Sequence, residues 1–191
     1  MNNDEIIKVL RQKLGEKRLK HTFGVAKCAK ELAIRFGADP EKAYTAGLLH
    51  DIVKEDTVES MLSLCNNLNL DDEMKASRAL LHGPAGAEFA RQKFNADDEI
   101  YNACFYHTVG RANMSLLEKI IYIADAVEPN RSYPGVEALR KEAYIDLDKA
   151  CLMSLSNTID FVRSSGKYLD EETIRAKAYL ENTIKQKGGK P

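Results

Sequence analysis

The sequence predicts an all-α protein with a single domain, folded as a bundle of nine or ten helices. Apolar residues recur every three or four positions along most of the 191 residues, as they do on the buried face of a helix. No stretch alternates apolar and polar residues over the length of a strand, and no internal repeat is present. A chain of this length is also more suited to one well-buried core than to two.

The first helix boundaries are indicated by capping residues. An apolar stripe over residues 25–36 ends at Gly37, which is typical of a C-cap. Asp39 followed by Pro40 then predicts an N-cap with proline in the first turn of the next helix. Residues 56–59, with the sequence DTVE, resemble a capping box ahead of another apolar stripe. These boundaries mark the second helical segment of the chain and the two that follow it.

The second half of the chain follows the same pattern. Gly-Pro at 83–84 predicts a break and the start of a fresh helix. Ser115 to Glu118 forms a second capping box, which opens a strongly apolar helix. A long helix is expected over residues 146–163, and a last one is expected to begin near Asp170. These elements complete the predicted bundle.

We expect the domain to occupy residues 1–184. The remaining stretch, 185–191, has the sequence KQKGGKP and is expected to form a flexible tail.

Composition and charge favour a cytoplasmic protein. Hydrophobic residues make up 44% of the chain and charged residues 30%, and the formal net charge is −1. No overall field therefore attracts nucleic acid or a membrane. No apolar run approaches the roughly 20 residues of a membrane span, and the N-terminus has no signal-peptide pattern. We expect neither nucleic acid nor membrane as a partner.

The four cysteines are expected to be reduced thiols in the core. They are Cys28, Cys65, Cys104 and Cys151, and no two of them form a CxxC motif. A zinc knuckle normally brings paired ligands close in sequence, so this spacing argues against one. Structural disulfides are not expected in a protein without an export signal.

Four histidines and two aspartates form an ordered set of candidate metal ligands. They are His21, His50, Asp51, His82, His107 and Asp125. Histidine is the commonest protein ligand of transition metals, and carboxylates add charge and bridging capacity. Taken alone, each histidine is better explained as a hydrogen-bonded core or surface residue. Asp125 lies in the apolar run 120–127, where a carboxylate needs an arginine or a metal as its partner. Together, the six residues predict a metal site.

The centre of this site is expected at the adjacent pair His50 and Asp51. On a helix the two side chains point about 100° apart, and both reach an ion lying over that edge. Lys54 falls on the same side, either as a catalytic cation or as a solvated lysine. The small apolar run 46–49 packs closely against a neighbouring helix and holds the pair in a partly dry place. Asp51 and Lys54 are the predicted catalytic residues.

Four segments of the chain resemble the HD-domain superfamily of metal-dependent phosphohydrolases. They are AGLLHD at 46–51, HGPAGA at 82–87, HTVGR at 107–111 and IADAVEPNR at 123–131. The His-Asp pair alone would identify only the superfamily. The segment EPNRSYPGV at 128–136 resembles the YqeK-type subgroup, the symmetrical bis(5'-nucleosyl)-tetraphosphatases. This resemblance covers nearly the whole chain and implies a helical bundle of the HD-domain type.

The resemblance also implies a ligand set and a metal. The positions that match the primary metal ligands are His21, His50, Asp51 and Asp125. His82 and His107 match the pair that holds a second metal where one is present, or that faces the phosphates in its absence. The implied metal is iron, as one or two ions. Imidazole and carboxylate ligands also suit Mn, Co, Ni and Zn.

The reaction implied by the resemblance is the symmetrical cleavage of a dinucleoside tetraphosphate, such as diadenosine tetraphosphate, into two nucleoside diphosphates. The residues expected to bind this substrate are His21, His82, His107, Thr108, Asp125, Arg131 and Tyr133. With one metal only, a protonated His82 or His107 is expected to supply the second positive charge.

Alternatives remain open for two of these residues and for the function. Arg131 offers the bidentate fork that phosphate geometry favours, or it caps the preceding helix or pairs with Glu128. Tyr133 either stacks on a base or packs in the fold. Two other functions fit the residues, namely another HD-type hydrolase of nucleoside mono- or triphosphates and a non-catalytic, metal-containing nucleotide sensor. A homodimer is possible, because the stripe at 58–68 would suit either the core or a dimer surface.

Overall fold

The fold is a bundle of helices, as the sequence predicts. A computed structural model describes residues 2–188, and within that range it contains eleven helices, rather than the nine or ten predicted, and no strand. The helices are α1 (Asn3–Lys13), α2 (Glu16–Phe36), α3 (Pro40–Leu49), α4 (Val58–Leu64), α5 (Asp72–Ala76), α6 (Arg78–Phe94), α7 (Asp98–Tyr106), α8 (Leu116–Val127), α9 (Val136–Ala143), α10 (Leu147–Ser164) and α11 (Glu171–Gly188). None of them is long and apolar enough to span a membrane.

Most of the predicted helix boundaries are confirmed. Gly37 ends α2 with φ +78°, in the left-handed region that glycine adopts without strain. The carboxylate of Asp39 accepts hydrogen bonds from the first backbone N–H groups of α3, and Pro40 begins that helix. Ser115 caps α8 by accepting a hydrogen bond from the backbone N–H of Glu118, at 3.2 Å.

Two predicted boundaries are wrong. The residue that caps α4 is Thr57 rather than Asp56, because the Thr57 hydroxyl accepts from the backbone N–H of Ser60. The break expected at Gly83 and Pro84 is absent, since α6 runs through both residues. The whole stretch 81–87 is buried, so tertiary packing outweighs the local preference of Gly-Pro to end a helix.

Helix α11 includes part of the stretch that was predicted to be a flexible tail. α10 and α11 begin one residue after Asp146 and Asp170, as expected. α11 continues to Gly188, beyond the predicted domain end at residue 184, and Lys187 pairs with Asp148 of α10 at 2.6 Å. The rest of the predicted tail, 189–191, lies outside the described residues.

The core centres on α8, which packs against α2, α3, α7, α9 and α10. Seven of its apolar side chains are buried, and this explains the apolar run read from the sequence. The stripe at 58–68 also belongs to the core, because Met61 and Cys65 are buried and the other apolar residues pack against them.

A close approach of α3 to α2 positions the end of α3. A Cβ atom added at Gly47 would lie 2.6 Å from the Cα atom of Ala26, which is backbone and cannot rotate away. Gly47 therefore sets the distance between the two helices, three residues before His50.

We predict that Gly47→Ala lowers the free energy of unfolding by about 1–3 kcal/mol, the usual cost of forcing extra atoms into a packed core. Gly86→Ala is the matched control, because it is also a buried glycine inside a helix but its added Cβ meets its nearest neighbour at 3.5 Å. Denaturant unfolding of both variants measures the difference. Equal stabilities would contradict the role given to Gly47.

Candidate metal centre

The structure brings all six predicted ligands to one place. His21 comes from α2, His82 from α6 and Asp125 from α8. His50 and His107 are the C-cap residues of α3 and α7, and Asp51 follows His50 in the turn after α3. The expectation that His50 and Asp51 share a helix is therefore corrected, because α3 ends at Leu49. The four histidines and Asp51 are buried, and Asp125 is partly exposed.

Hydrogen bonds from Nδ1 orient the imidazole rings of His21, His50 and His107 so that their Nε2 atoms face the centre. His50 and His107 each donate from Nδ1 to the carbonyl oxygen three residues earlier, at 2.7 and 2.6 Å. His21 donates from Nδ1 to the carboxylate of Glu128, at 3.1 Å. In each ring Nε2 is left to face the centre, the arrangement that orients metal-binding histidines in proteins.

Asp51 is shared between two groups of histidines. Its Oδ2 atom lies 3.7 Å from His21 Nε2 and 3.5 Å from His50 Nε2. Its Oδ1 atom lies 3.2 Å from His82 Nε2 and 3.7 Å from His107 Nε2. One carboxylate thus faces two sets of ligands, each able to surround a cation.

Asp125 joins the first group. Its Oδ1 atom lies 3.0 Å from His21 Nε2 and 3.9 Å from His50 Nε2. The first group consequently offers two imidazoles and two carboxylates. The second offers Asp51, His82 and His107, and the Nε2 atoms of these two histidines lie 2.9 Å apart.

Unpaired buried atoms indicate that this donor set fits a metal. His21 Nε2, His50 Nε2 and Asp51 Oδ1 are buried without a hydrogen-bond partner. Leaving such atoms unsatisfied is costly, so a native site normally supplies them with a partner. A divalent cation in the first group would satisfy the two histidine nitrogens, and one in the second group would satisfy Asp51 Oδ1. Histidine nitrogen with carboxylate oxygen is a common ligand set for transition metals.

The charge states of Asp51 and His82 also suit a bound metal ion. Burial opposes the ionisation of Asp51, but the imidazoles of His50, His82 and His107 close to its carboxylate hold its pKa well below the usual range. Burial lowers the pKa of His82 to about 4, so its ring is neutral at neutral pH. A neutral imidazole is the form that binds metals.

Lys54 and Thr108 lie beside the second group. Lys54 Nζ is 2.8 Å from His82 Nε2 and 3.7 Å from Asp51 Oδ1, so this lysine points into the site rather than into solvent. Burial lowers its pKa, and the negative charge of Asp51 opposes that effect. The Thr108 hydroxyl lies 3.2 Å from His107 Nε2.

Arg131 and Tyr133 lie on the other side of the centre. Arg131 donates from Nη2 to the carboxylate of Asp125 at 2.5 Å and from Nε to the Asp125 carbonyl oxygen at 2.7 Å. It therefore caps α8, which is one of the three alternatives left open for this residue. The Tyr133 hydroxyl donates to the carbonyl oxygen of Ala126 at 2.9 Å, while the side chain remains partly exposed.

Two further residues at the centre, Arg18 and Glu128, were not among the residues predicted from the sequence. Arg18 lies three residues before His21, and its Nη1 donates to Asp51 Oδ2 at 2.8 Å. Glu128 is buried and holds His21, and it also accepts from the backbone and side-chain nitrogens of Asn130. A Cβ atom added at Gly24 would collide with the Glu128 carboxylate. The spacing of Arg18 was a signal in the sequence, whereas the contact of Glu128 with His21 spans 107 residues.

Comparison with known proteins agrees with this geometry. Residues 18–130 match the HD domain family. The chain is 39% identical to the symmetrical bis(5'-nucleosyl)-tetraphosphatase of Halalkalibacterium halodurans, over 98% of this chain and all of that protein. It is also 39% identical to the Bacillus subtilis protein of the same name, over 91% and 95% of the two chains.

A solved structure has the same fold over nearly the full length. It is the crystal structure of a predicted HD superfamily hydrolase involved in NAD metabolism, from Clostridium acetobutylicum. The TM-score is 0.92 and the identity is 46%, over 96% of this chain and 98% of that one.

We predict that Asp51→Asn abolishes stable metal binding, because the carboxylate is shared by both groups of ligands. Asp148→Asn is the control, since Asp148 is also a buried aspartate but pairs with Lys119 and Lys187 away from the centre. Elemental analysis of the purified variants gives the metal content of each. A normal metal content in Asp51→Asn would contradict the assignment.

We predict that Glu128→Gln weakens metal binding by about 10–100-fold, the usual effect of losing a group that orients a metal-binding histidine. Gly24→Ala should act in the same direction, since its Cβ displaces the Glu128 carboxylate. Competition with a metal-binding dye measures the affinity, with Glu137→Gln, a change at an exposed glutamate, as the control. Unchanged affinity in both test variants would show that Glu128 does not support His21.

Proposed function

The chain belongs to the HD domain family, and from this premise we propose that it is a metal-dependent hydrolase of dinucleoside tetraphosphates. Diadenosine tetraphosphate is the representative substrate, and two nucleoside diphosphates are the products. The observation that carries the proposal is the buried carboxylate of Asp51, which lies between two groups of histidines. The comparisons support the proposal, because two relatives that match this chain along nearly their whole length are named symmetrical bis(5'-nucleosyl)-tetraphosphatase.

We propose iron as the metal, as one or two ions, with Mn, Co, Ni and Zn as possible substitutes. The first ion would be held by His21, His50, Asp51 and Asp125, and the second by Asp51, His82 and His107. When bound, such a metal lowers the pKa of a water molecule and neutralises charge on phosphoryl oxygens. The paired imidazole and carboxylate donors support a transition metal, and they suit all five candidates.

Hydrolysis at the middle of the phosphate chain requires water to attack a β-phosphorus. The new P–O bond forms there, and the bond from that phosphorus to the central bridging oxygen breaks. The bridging oxygen leaves with the second nucleoside diphosphate, and the proton of the water passes to solvent. Asp51 is a weak proton acceptor because its pKa is low, so we assign it to ligand binding rather than to general-base catalysis.

Cations on both sides of Asp51 suit a phosphate chain that crosses the centre. Lys54 lies on the side of His82, with its side chain 27% exposed. Arg18 and Arg131 lie on the other side, with side chains 29% and 36% exposed. We assign Lys54 to a non-bridging oxygen of the phosphate under attack, with Thr108 as a neighbouring donor. Arg131 is assigned to the other half of the phosphate chain through its Nη1 edge, because its Nε and Nη2 atoms already donate to Asp125.

The other residues predicted to bind the substrate, the compartment and the partners are proposed as follows. His21, His82, His107 and Asp125 would hold the metals that neutralise the phosphates, and the exposed face of Tyr133 is available to a base. We propose the cytoplasm as the compartment, which the four buried, free cysteines support. A homodimer, and the absence of nucleic acid and membrane partners, also remain proposals.

Chromatography of the products from diadenosine tetraphosphate tests the proposed reaction. ADP as the sole nucleotide product is expected from the metal-loaded protein. In ¹⁸O-water, the label should enter the terminal phosphate of one ADP of each pair. ATP plus AMP would contradict symmetrical cleavage, and retained substrate without turnover would favour the nucleotide sensor.

We predict that Lys54→Met lowers kcat by about 100-fold with unchanged metal content, as expected when one donor to the transition state is lost. Lys13→Met is the matched control, because Lys13 is similarly half-buried and pairs with Asp56 outside the centre. Steady-state kinetics and elemental analysis measure both effects. A kcat equal to that of the control would show that Lys54 does not act on the phosphates.

A further inference from the structure

A cavity of about 570 Å³ lies next to the metal centre. It is bounded by the beginning of α6, the end of α10 and the segment that leads into α11. This volume lies within the range of roughly 300–1,000 Å³ that small-molecule sites occupy.

The cavity and the metal centre share a wall. Thr108 lines the cavity, and its hydroxyl is 3.3 Å from His82 Nε2 and 3.2 Å from His107 Nε2. Leu80 also lines it and lies two residues before His82 on α6. The cavity therefore begins where the second group of ligands ends, on the side of Lys54.

The lining is largely apolar and includes two exposed aromatic rings. Phe161 is 62% exposed and Tyr168 is 40% exposed, although both face a concave surface. Leu80, Val162 and Leu169 complete the apolar wall. Flat aromatic surfaces of this kind stack readily on nucleobases, because every base offers a π-face.

The charges of the lining suit a base better than a phosphate. Glu73 and Asp170 bring two carboxylates to the cavity, against one cation, Lys167. The cations suited to phosphates lie at the metal centre instead, where Lys54 and Arg131 flank the ligands. A substrate with its phosphates at the centre would thus place an uncharged group in the cavity.

We propose that this cavity holds one of the two nucleosides of the substrate, with its base against Phe161 and Tyr168. The inference rests on the proposed function and deepens it, since it assigns one half of the dinucleotide to a definite place. The phosphate chain would pass Thr108 on its way from the metal centre into the cavity.

Replacing a small residue of the cavity wall by a large one tests the assignment of a nucleoside to this cavity. Ala79 lines the cavity and is exposed on α6, so Ala79→Trp adds an indole without removing a core side chain. Ala178→Trp is the matched control, because Ala178 is an exposed helical alanine that does not line this cavity. In the metal-loaded enzyme, Ala79→Trp should raise KM for diadenosine tetraphosphate at least about tenfold, with kcat and metal content retained. The control should match wild-type.

A second variant removes a stacking surface instead of filling the space. Phe161→Ala should raise KM by a similar factor, whereas Ile34→Ala, a change at an equally exposed apolar residue of α2, should not. Photolabelling with 8-azidoadenosine diphosphate gives an independent readout. The label should fall on the peptide that contains Phe161 and Tyr168, and it should be lost in Ala79→Trp.

The outcomes separate this inference from the function on which it rests. Failure of the wild-type protein to form ADP would overturn the proposed function itself. Normal ADP formation with unchanged KM in Ala79→Trp and Phe161→Ala would overturn only the nucleoside site. Loss of metal in both variants would also overturn it, because the wall would then support the metal centre. A change of oligomeric state with unchanged KM would instead assign the cavity to a second copy of the chain.

Discussion

The structure depends on a buried, ionised carboxylate, that of Asp51. Its two oxygen atoms face different histidines, His21 and His50 on one side and His82 and His107 on the other. A buried charge is tolerated only when counter-charges and hydrogen bonds surround it. Arg18 supplies one of these directly, at 2.8 Å. The orphaned nitrogens of His21 and His50 point to the remaining one, a divalent metal, which the HD domain family requires.

Helices α3 and α7 orient their histidines through the same local hydrogen bond. α3 and α7 each end at the histidine, and in both cases Nδ1 donates to the carbonyl oxygen three residues earlier. The C-terminal end of a helix carries partial negative charge, which favours a cation nearby. Two such ends converge on Asp51, and Gly47 lets one of them approach α2 closely enough to meet His21. A metal bound between these groups would offset the cost of collecting so many polar groups inside the core.

Sequence reasoning was most reliable where the information is local. The capping residues Asp39 and Ser115 and the glycine at position 37 set helix ends through contacts within a few residues, and all three were confirmed. The six ligands were predicted because histidine and aspartate in this order have few other uses. The predictions failed where contacts between residues far apart in the sequence determine the structure. Burial of residues 81–87 carries α6 through Gly-Pro, and Glu128 reaches His21 only after α2 and α8 have packed together.

We infer that Asp51 is shared between two metal positions. Diffraction from crystals of the iron-loaded protein, recorded at the iron absorption edge, tests it most directly. Anomalous peaks are expected on both sides of Asp51, one beside His21, His50 and Asp125 and one beside His82 and His107. Peaks that lie away from Asp51, or a metal held without its carboxylate, would contradict the account.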